Sequence, residues 1–488
     1  MCLEITVKLV PESQCSATAT AAKMAVMLRA IFQFFLPLLI SNYKSSRITL
    51  RKCIKLRLSS SSPFTLLKSL RNQLTMKLLC RFLIAIAIAI DSSGANAAQA
   101  TAQYRLASIL PWISKNSTSV DLGIVVNGTY YLSDRTNAVV HVVDLASSTE
   151  TGQITGFKGA TIINGTVNKP TSGPNGLLYI PGRNELYVGD GDGSVKIVDL
   201  SNNTIVDTIP LGISKRADEM TYDANNKLAI VTGPDDDIAI LAFISVTDRT
   251  VIHKVSFDNA TNGIEQPSWN PADGLIYVSV PESNANPGGE IDIIETTNFT
   301  TRKILPVTNC NSHGIVFGPS NQLLLGCSQD AILADSIGHT LVVDVTTGKT
   351  VETIDGIGGA DQVAYNPTLN YYYIAAYQYQ VNGSAIGAAD PKVGIIDAAT
   401  GTLLQTFKTD NVTAHAVAVD PKTNKMMIPL VGKGIAIYDF VNGTSTTIAT
   451  AATATPTAVT ASAATRPGTG SVSLFAFVVA TIFGASIV

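Results

Sequence analysis

The chain has 488 residues, of which 46% are hydrophobic and 15% are charged, so it can bury a large core and is not expected to be disordered. The net charge of −3 is unevenly distributed, because residues 1–97 hold 13 of the 34 Lys and Arg but only 3 of the 37 Asp and Glu. The rest of the chain is therefore acidic, which excludes nucleic acid as an expected partner.

The N-terminal region carries a secretory signal pattern. A basic start at Met76 leads into the apolar run 82–90 and the small-residue cleavage site 95–97. We therefore expect residues 76–97 to be a signal peptide and residues 1–75 to be a non-functional or disordered extension. A transit peptide and a type II anchor are the alternatives for that extension.

A short apolar strand pattern recurs seven times in the following residues, 98–442, at a spacing of about 42 to 55 residues, which is typical of propeller blades. Its copies read VVHVVDL, VKIVDL, IAILAFI, IDIIET, LVVDV, VGIIDA and IAIYDF. Asp and Asn turns, several of them followed by Pro, precede most copies. The sequence therefore predicts an all-β, seven-bladed propeller with four-stranded antiparallel blades.

The last blade has three predicted strands after His415 and no fourth before the C-terminal segment. The stretch Tyr104–Leu110, near the predicted mature N-terminus, offers the missing strand. Its pairing with the last blade would close the ring and cover an open sheet edge.

Two of the six cysteines, Cys310 and Cys327, follow the predicted signal peptide. An oxidising compartment and an even cysteine count predict a disulfide between them, on a hairpin of the fifth blade. A metal pair or a redox couple is the alternative.

The C-terminal segment predicts a surface-anchored glycoprotein. Residues 443–471 are rich in Ala, Thr and Ser, as in O-glycosylated stalks, and residues 472–488 form an apolar tail. Small residues around Ser462 fit a GPI-attachment signal, with a plain transmembrane anchor as the alternative. We expect a secreted, monomeric cell-surface protein that touches the membrane only through this anchor. The N-glycosylation sequons are at Asn116, Asn127, Asn164, Asn202, Asn259, Asn298, Asn382, Asn411 and Asn442.

The first position of each predicted inner strand is polar, and inner strands begin at one rim of the central channel. These positions are Asn175, Asp218, Glu265, His313, Asp361 and His415, with Asp121 as the expected equivalent in the first blade and Glu219 and Gln266 beside two of them. Carboxylates converging there favour Ca²⁺, whereas imidazoles favour a transition metal, so a divalent cation is a possible cofactor. A solvated channel mouth is the alternative.

The strand LYVGD at residues 186–190 resembles the YVTN-type β-propeller repeat family, and the segments 216–220, 263–267, 287–290 and 358–361 are similar to its secreted or periplasmic branch. The resemblance implies the propeller fold over about residues 104–442 and assigns no reaction. Gluconolactonase-type propellers share a lactonase-like architecture with a metal at the channel mouth. Two histidines in the present ring depart from their acid-and-amide ligand set.

Three functions remain open at this point. The first is a non-catalytic surface propeller that binds a small molecule, glycan or protein at the loop-rich channel rim. The second is a metal-dependent, lactonase-like hydrolase or isomerase that uses the ring residues. The third is a structural or adhesion protein. The mature region contains no Gly-x-Ser-x-Gly motif, so acyl transfer through a serine is not indicated.

Overall fold

The computed structural model describes residues 103–113, 116–329, 331, 338–384, 387–409 and 415–441. The predicted extension, signal peptide, stalk and apolar tail lie outside these described residues, as do Asn411, Asn442 and Ser462. None of the helices in the described segments is long and apolar enough to span a membrane.

Seven four-stranded antiparallel sheets form a ring, which confirms the predicted seven-bladed β-propeller. The inner strands are β2 (Val120–Val126), β8 (Leu177–Ile180), β12 (Met220–Asp223), β16 (Pro267–Trp269), β20 (Ser312–Phe317), β24 (Val363–Asn366) and β28 (Ala418–Val419). The second strands are β3 (Thr129–Asp134), β9 (Glu185–Gly189), β13 (Leu228–Gly233), β17 (Ile276–Val280), β21 (Gln322–Cys327), β25 (Tyr371–Ala376) and β29 (Met426–Leu430).

The outer half of each blade consists of a buried third strand and a more exposed fourth strand. The third strands are β4 (Val139–Asp144), β10 (Ser194–Asp199), β14 (Ile240–Ser245), β18 (Glu290–Glu295), β22 (His339–Asp344), β26 (Lys392–Asp397) and β30 (Gly434–Val441). The outermost strands are β5 (Thr149–Thr155), β11 (Thr204–Pro210), β15 (Thr250–Ser256), β19 (Thr300–Pro306), β23 (Lys349–Asp355), β27 (Thr402–Lys408) and β1 (Gln103–Leu110). A separate hairpin, β6 (Ile162–Ile163) and β7 (Thr166–Val167), lies between blades 1 and 2.

The hydrophobic core lies between the blades. Each of seven apolar clusters among the described residues is shared by two neighbouring blades, and together they run around the whole ring. The third strands are almost entirely buried because both of their faces pack against other blades, which explains their near-continuous β-branched sequences.

The turns between the inner and second strands are fixed by their first side chain. The Asn270 side-chain oxygen accepts a hydrogen bond from the Ala272 N–H at 3.0 Å, and Asp420 accepts one from the Lys422 N–H at 3.1 Å. Such Asx turns keep this rim short. The inner strands begin at the opposite rim.

Strand β1 closes the ring as predicted. It pairs antiparallel with β30, with Tyr104 opposite Phe440, and becomes the outermost strand of blade 7. The Tyr104 side chain is 4% exposed, and its hydroxyl lies 2.8 Å from that of Tyr373 in blade 6. The N-terminal strand therefore contributes to the core as well as covering a sheet edge.

The predicted disulfide is present between Cys310, just before β20, and Cys327, at the end of β21. Both cysteines are fully buried in the cluster between blades 4 and 5.

A buried charge cluster lies in blade 1. His141 is fully buried, with Nδ1 2.9 Å from a Glu150 oxygen and Nε2 3.1 Å from an Asp134 oxygen. Burial alone would lower the pKa of this imidazole, but hydrogen bonds to the two carboxylates raise the pKa to about 9.

Loss of the closing strand's anchor should destabilise the whole ring. Tyr104→Ala is expected to lower the free energy of unfolding by about 3–5 kcal/mol, because it leaves a cavity between blades 6 and 7. Tyr104→Phe should cost only about 1 kcal/mol. Urea unfolding measures both variants against Ile109→Ala, whose side chain is 41% exposed. Equal stability of Tyr104→Ala and Ile109→Ala would show that β1 does not belong to the folded ring.

His141 should make stability depend on pH. Its folded pKa of about 9 exceeds the ordinary 6.5, so its stabilisation is complete below about pH 6.5 and is lost as the pH rises through 9. The difference in unfolding free energy between wild type and His141→Gln should therefore shrink between pH 6 and pH 9. His253→Gln, at an exposed position of β15, is the control. A difference that stays constant over this range would contradict the charged state of His141.

Candidate functional site

The inner strands converge on a cavity of about 90 Å³ at the channel mouth. Seven of the nine predicted ring residues line it: Asp121, Asp218, Glu219, Glu265, His313, Asp361 and His415. Four further lining residues were not predicted from the sequence: Leu122, Lys169, Arg216 and Tyr377.

A repeated backbone hydrogen bond explains why the acidic ring residues meet. The N–H groups of Asn175, Asp218, Glu265 and Asp361 donate to the carbonyls of Gly189, Thr232, Ser279 and Ala375, in that order. These acceptors all lie towards the end of a second strand. The four donor residues therefore occupy the same structural position in blades 2, 3, 4 and 6.

Asn175 and Gln266 are ring positions whose side chains do not line the cavity. The Asn175 carboxamide oxygen accepts a hydrogen bond from Arg135 Nε at 2.7 Å, and its nitrogen donates to Ser172 and Ala217 carbonyls. The Gln266 oxygen accepts a hydrogen bond from the Ile315 N–H at 3.1 Å. Both amides thus join neighbouring blades.

Gln362 links two blades that are not neighbours in the ring. It follows Asp361 in blade 6, and its carboxamide bonds to both the N–H and the carbonyl of Gly123 in blade 1, at 3.4 and 3.2 Å. This contact joins blade 6 to blade 1 past the inner strand of blade 7.

Two arginines neutralise part of the acidic ring. Arg135, which follows β3 and is fully buried, contacts an Asp121 oxygen at 2.5 Å. Arg216 contacts Asp218 at 2.9 Å and Asp235 at 2.6 Å. In the sequence, Arg216 could be assigned to the site only from its position two residues before the ring carboxylate Asp218. No sequence feature indicates that Arg135 contacts the site.

His415 pairs with two carboxylates. Its Nε2 lies 2.5 Å from an Asp361 oxygen, and its Nδ1 lies 3.6 Å from Asp121. Burial opposes ionisation of Asp361, but His415 outweighs it and holds the pKa of this carboxyl below its usual range.

Glu219 and Glu265 form no ion pair with any described residue, unlike the three aspartates. Glu219 is 3% exposed, and neither of its oxygens accepts a hydrogen bond from the described residues. Burial and the charges of Glu265 and Asp218 raise the pKa of Glu219 well above its usual range. Burial and the charge of Asp361 raise the pKa of Glu265 to about 8. Among the described residues, these two carboxyls thus have no ion-pair partner that would offset the cost of their ionisation.

Three side chains are placed to hold a metal ion. One ligand atom each of Glu265, His313 and Asp361, from blades 4, 5 and 6, lies within 4.8 Å of the others. A single ion with ligand bonds of about 2.0–2.5 Å fits between atoms at such separations.

Lys169 and Tyr377 complete the lining on long loops. Lys169 begins the 3-10 turn Lys169–Thr171 between blades 1 and 2, and Tyr377 follows β25 of blade 6. The Lys169 ammonium lies 6.0 Å from the centre of the Tyr377 ring, which lies 4.9 Å from the His415 ring.

All seven sequon asparagines within the described ranges are exposed: Asn116, Asn127, Asn164, Asn202, Asn259, Asn298 and Asn382. Their side chains are accessible to glycosylation, which stays a prediction.

Neither protein-family models nor curated proteins match this chain. The propeller fold is therefore supported by the structure, and the resemblance to the YVTN-type and lactonase-like propellers stays a prediction.

Removal of one unpaired carboxyl should stabilise the metal-free protein. Glu219→Gln keeps the side-chain shape and removes repulsion from Glu265 and Asp218, so the free energy of unfolding in chelator is expected to rise by about 1 kcal/mol or more. Urea unfolding measures the change, with Glu352→Gln at an exposed position of β23 as the control. A less stable Glu219→Gln variant would mean that this carboxylate has a stabilising partner.

Proposed function

We propose that this chain is a secreted cell-surface propeller whose channel mouth binds a divalent cation and, with it, a small polar molecule. The observation that carries the proposal is the convergence of Glu265, His313 and Asp361 ligand atoms within 4.8 Å. Glu219, buried and without a hydrogen-bond partner among the described residues, lines the same cavity and supports it independently.

The charge balance favours a divalent ion. Arg135, Arg216 and His415 are already paired with aspartates. Two carboxyl groups remain, and buried carboxylates need a cation or must take up protons. One divalent ion would offset both negative charges.

The donor set favours a transition metal over Ca²⁺. Ca²⁺ takes six to eight oxygen ligands, whereas the triad offers one imidazole nitrogen with carboxylate oxygens. Zn²⁺ and Mn²⁺ accept such mixed sets.

The cavity favours a small molecule over a glycan chain or a protein. About 90 Å³ holds only a few water molecules or a compact ligand. A larger partner would have to engage the rim loops instead.

The topology suits display at a surface. Strand β30 runs parallel to β28, since each is antiparallel to β29, so it ends at the rim opposite the cavity. The chain leaves the described propeller there, at Val441. An anchor in residues 472–488 would present the cavity away from the membrane.

Metal binding tests the proposal directly. The purified, secreted protein should bind one Mn²⁺ or Zn²⁺ ion per chain, measured by titration calorimetry and elemental analysis. Glu265→Gln and His313→Gln should each weaken binding at least about tenfold, because each removes one ligand. His253→Gln, whose imidazole is exposed on β15, should bind like wild type. Absence of binding, or equal binding by all variants, would contradict the proposal and favour a structural or adhesion role.

A hydrolytic function is the second candidate, because Glu219 is placed as a base beside the triad. It would take a proton from an attacking water, whose oxygen adds to a lactone carbonyl. The ring C–O bond then breaks, and the leaving alkoxide takes up that proton, which gives a hydroxy acid. Glu219→Gln would then abolish turnover of lactones by the metal-loaded protein and leave metal affinity within about threefold. Absence of turnover in wild type would leave binding as the function.

A further inference from the structure

Lys169 differs from the other cations of the cavity. The guanidinium groups of Arg135 and Arg216 contact carboxylates, whereas no described carboxylate lies within ion-pair distance of Lys169. Its side chain lines the cavity, and its ammonium lies 6.0 Å from the centre of the Tyr377 ring. Lys169 thus brings positive charge to the cavity without an ion-pair partner in the described part of the protein.

The turn that carries Lys169 is well anchored. The bridge between Gly159 and Gly173 closes its loop, and the Ser172 hydroxyl donates to the Asn168 carbonyl at 2.7 Å. The Pro170 carbonyl accepts a hydrogen bond from the Arg216 N–H at 2.7 Å. The backbone position of Lys169 is therefore fixed relative to the cavity.

We infer that the small molecule bound here is an organic carboxylate, held between the cation at Glu265, His313 and Asp361 and the Lys169 ammonium. This inference rests on the proposed function. A carboxylate can place one oxygen on the cation and the other within reach of an ammonium group. A hydroxyl or keto oxygen next to the carboxylate would add a second ligand to the cation.

The acidic wall limits which anion can enter. Five carboxyl groups line the cavity, so an anion entering without the cation meets repulsion. A phosphate dianion meets more repulsion than a singly charged carboxylate. Binding should therefore require the metal and should favour a compact monoanion, in keeping with the cavity volume of about 90 Å³.

Calorimetry on the secreted protein tests this inference in two steps. Metal affinity is measured first, without any anion. Lactate is then titrated into the Mn²⁺- or Zn²⁺-loaded protein, with lactamide as its neutral analogue and inorganic phosphate as the alternative anion. Wild type should bind lactate at least tenfold more tightly than lactamide or phosphate, and chelator should abolish binding.

Lys169→Met separates this inference from the proposed function. The variant keeps the length of the side chain, and we expect it to weaken lactate binding at least tenfold and to leave metal affinity within twofold. Lys349→Met, at an exposed position of β23, is the matched control and should bind both like wild type.

The outcomes are distinguishable. A protein that binds metal but not lactate, or that binds lactamide or phosphate equally well, overturns the inference and leaves the proposed function standing. Unchanged lactate affinity in Lys169→Met also overturns it. A protein that binds no metal overturns the proposed function, and lactate binding without metal overturns the role of the cation in this inference.

Discussion

Closure of seven sheets into one ring is the constraint on which the molecule depends. Every blade buries its apolar faces against two neighbours, so blades 7 and 1 are complete only when β1 joins β30 and the last cluster forms between them. The same closure points the seven inner strands at one axis. Polar residues at the start of those strands are therefore forced together, whatever their charge.

The repulsion between the converging carboxylates is partly offset by ion pairs within the protein. Arg135, Arg216 and His415 pair with aspartates. Glu219 and Glu265 have no such partner among the described residues, and their pKa values are raised. Unpaired buried carboxyls are unfavourable for folding, and they persist where a ligand supplies the missing charge. The geometry of the triad and the imbalance of charge thus point to the same ligand, a divalent cation.

The sequence predicted the blades well because their signals are local and repeated. Short β-branched strands, Asx turns and a fixed spacing specify each blade, and the unfilled edge of the last blade identified β1 as its partner. Of the nine residues that the sequence proposed for the channel mouth, seven line the cavity. Asn175 occupies the same position as Asp218, and Gln266 follows Glu265. Both form bonds between blades instead, because their amides reach backbone and guanidinium partners outside the cavity.

The loop residues and the arginines of the site could not be predicted in this way. Lys169 and Tyr377 lie on loops that differ from blade to blade, so no repeat register places them. Arg135 follows the second strand of blade 1, and it contacts both Asp121 of the same blade and Asn175 of blade 2. Tertiary packing determines such contacts, and the spacing of residues along the chain gives no information about that packing.

The most direct test of this account is a crystal structure of the protein grown with Mn²⁺, with anomalous differences recorded for that ion. The account predicts one strong peak at the channel mouth, about 2.0–2.4 Å from ligand atoms of Glu265, His313 and Asp361. A channel mouth without a peak, with Glu219 and Glu265 paired to some other group, would contradict it.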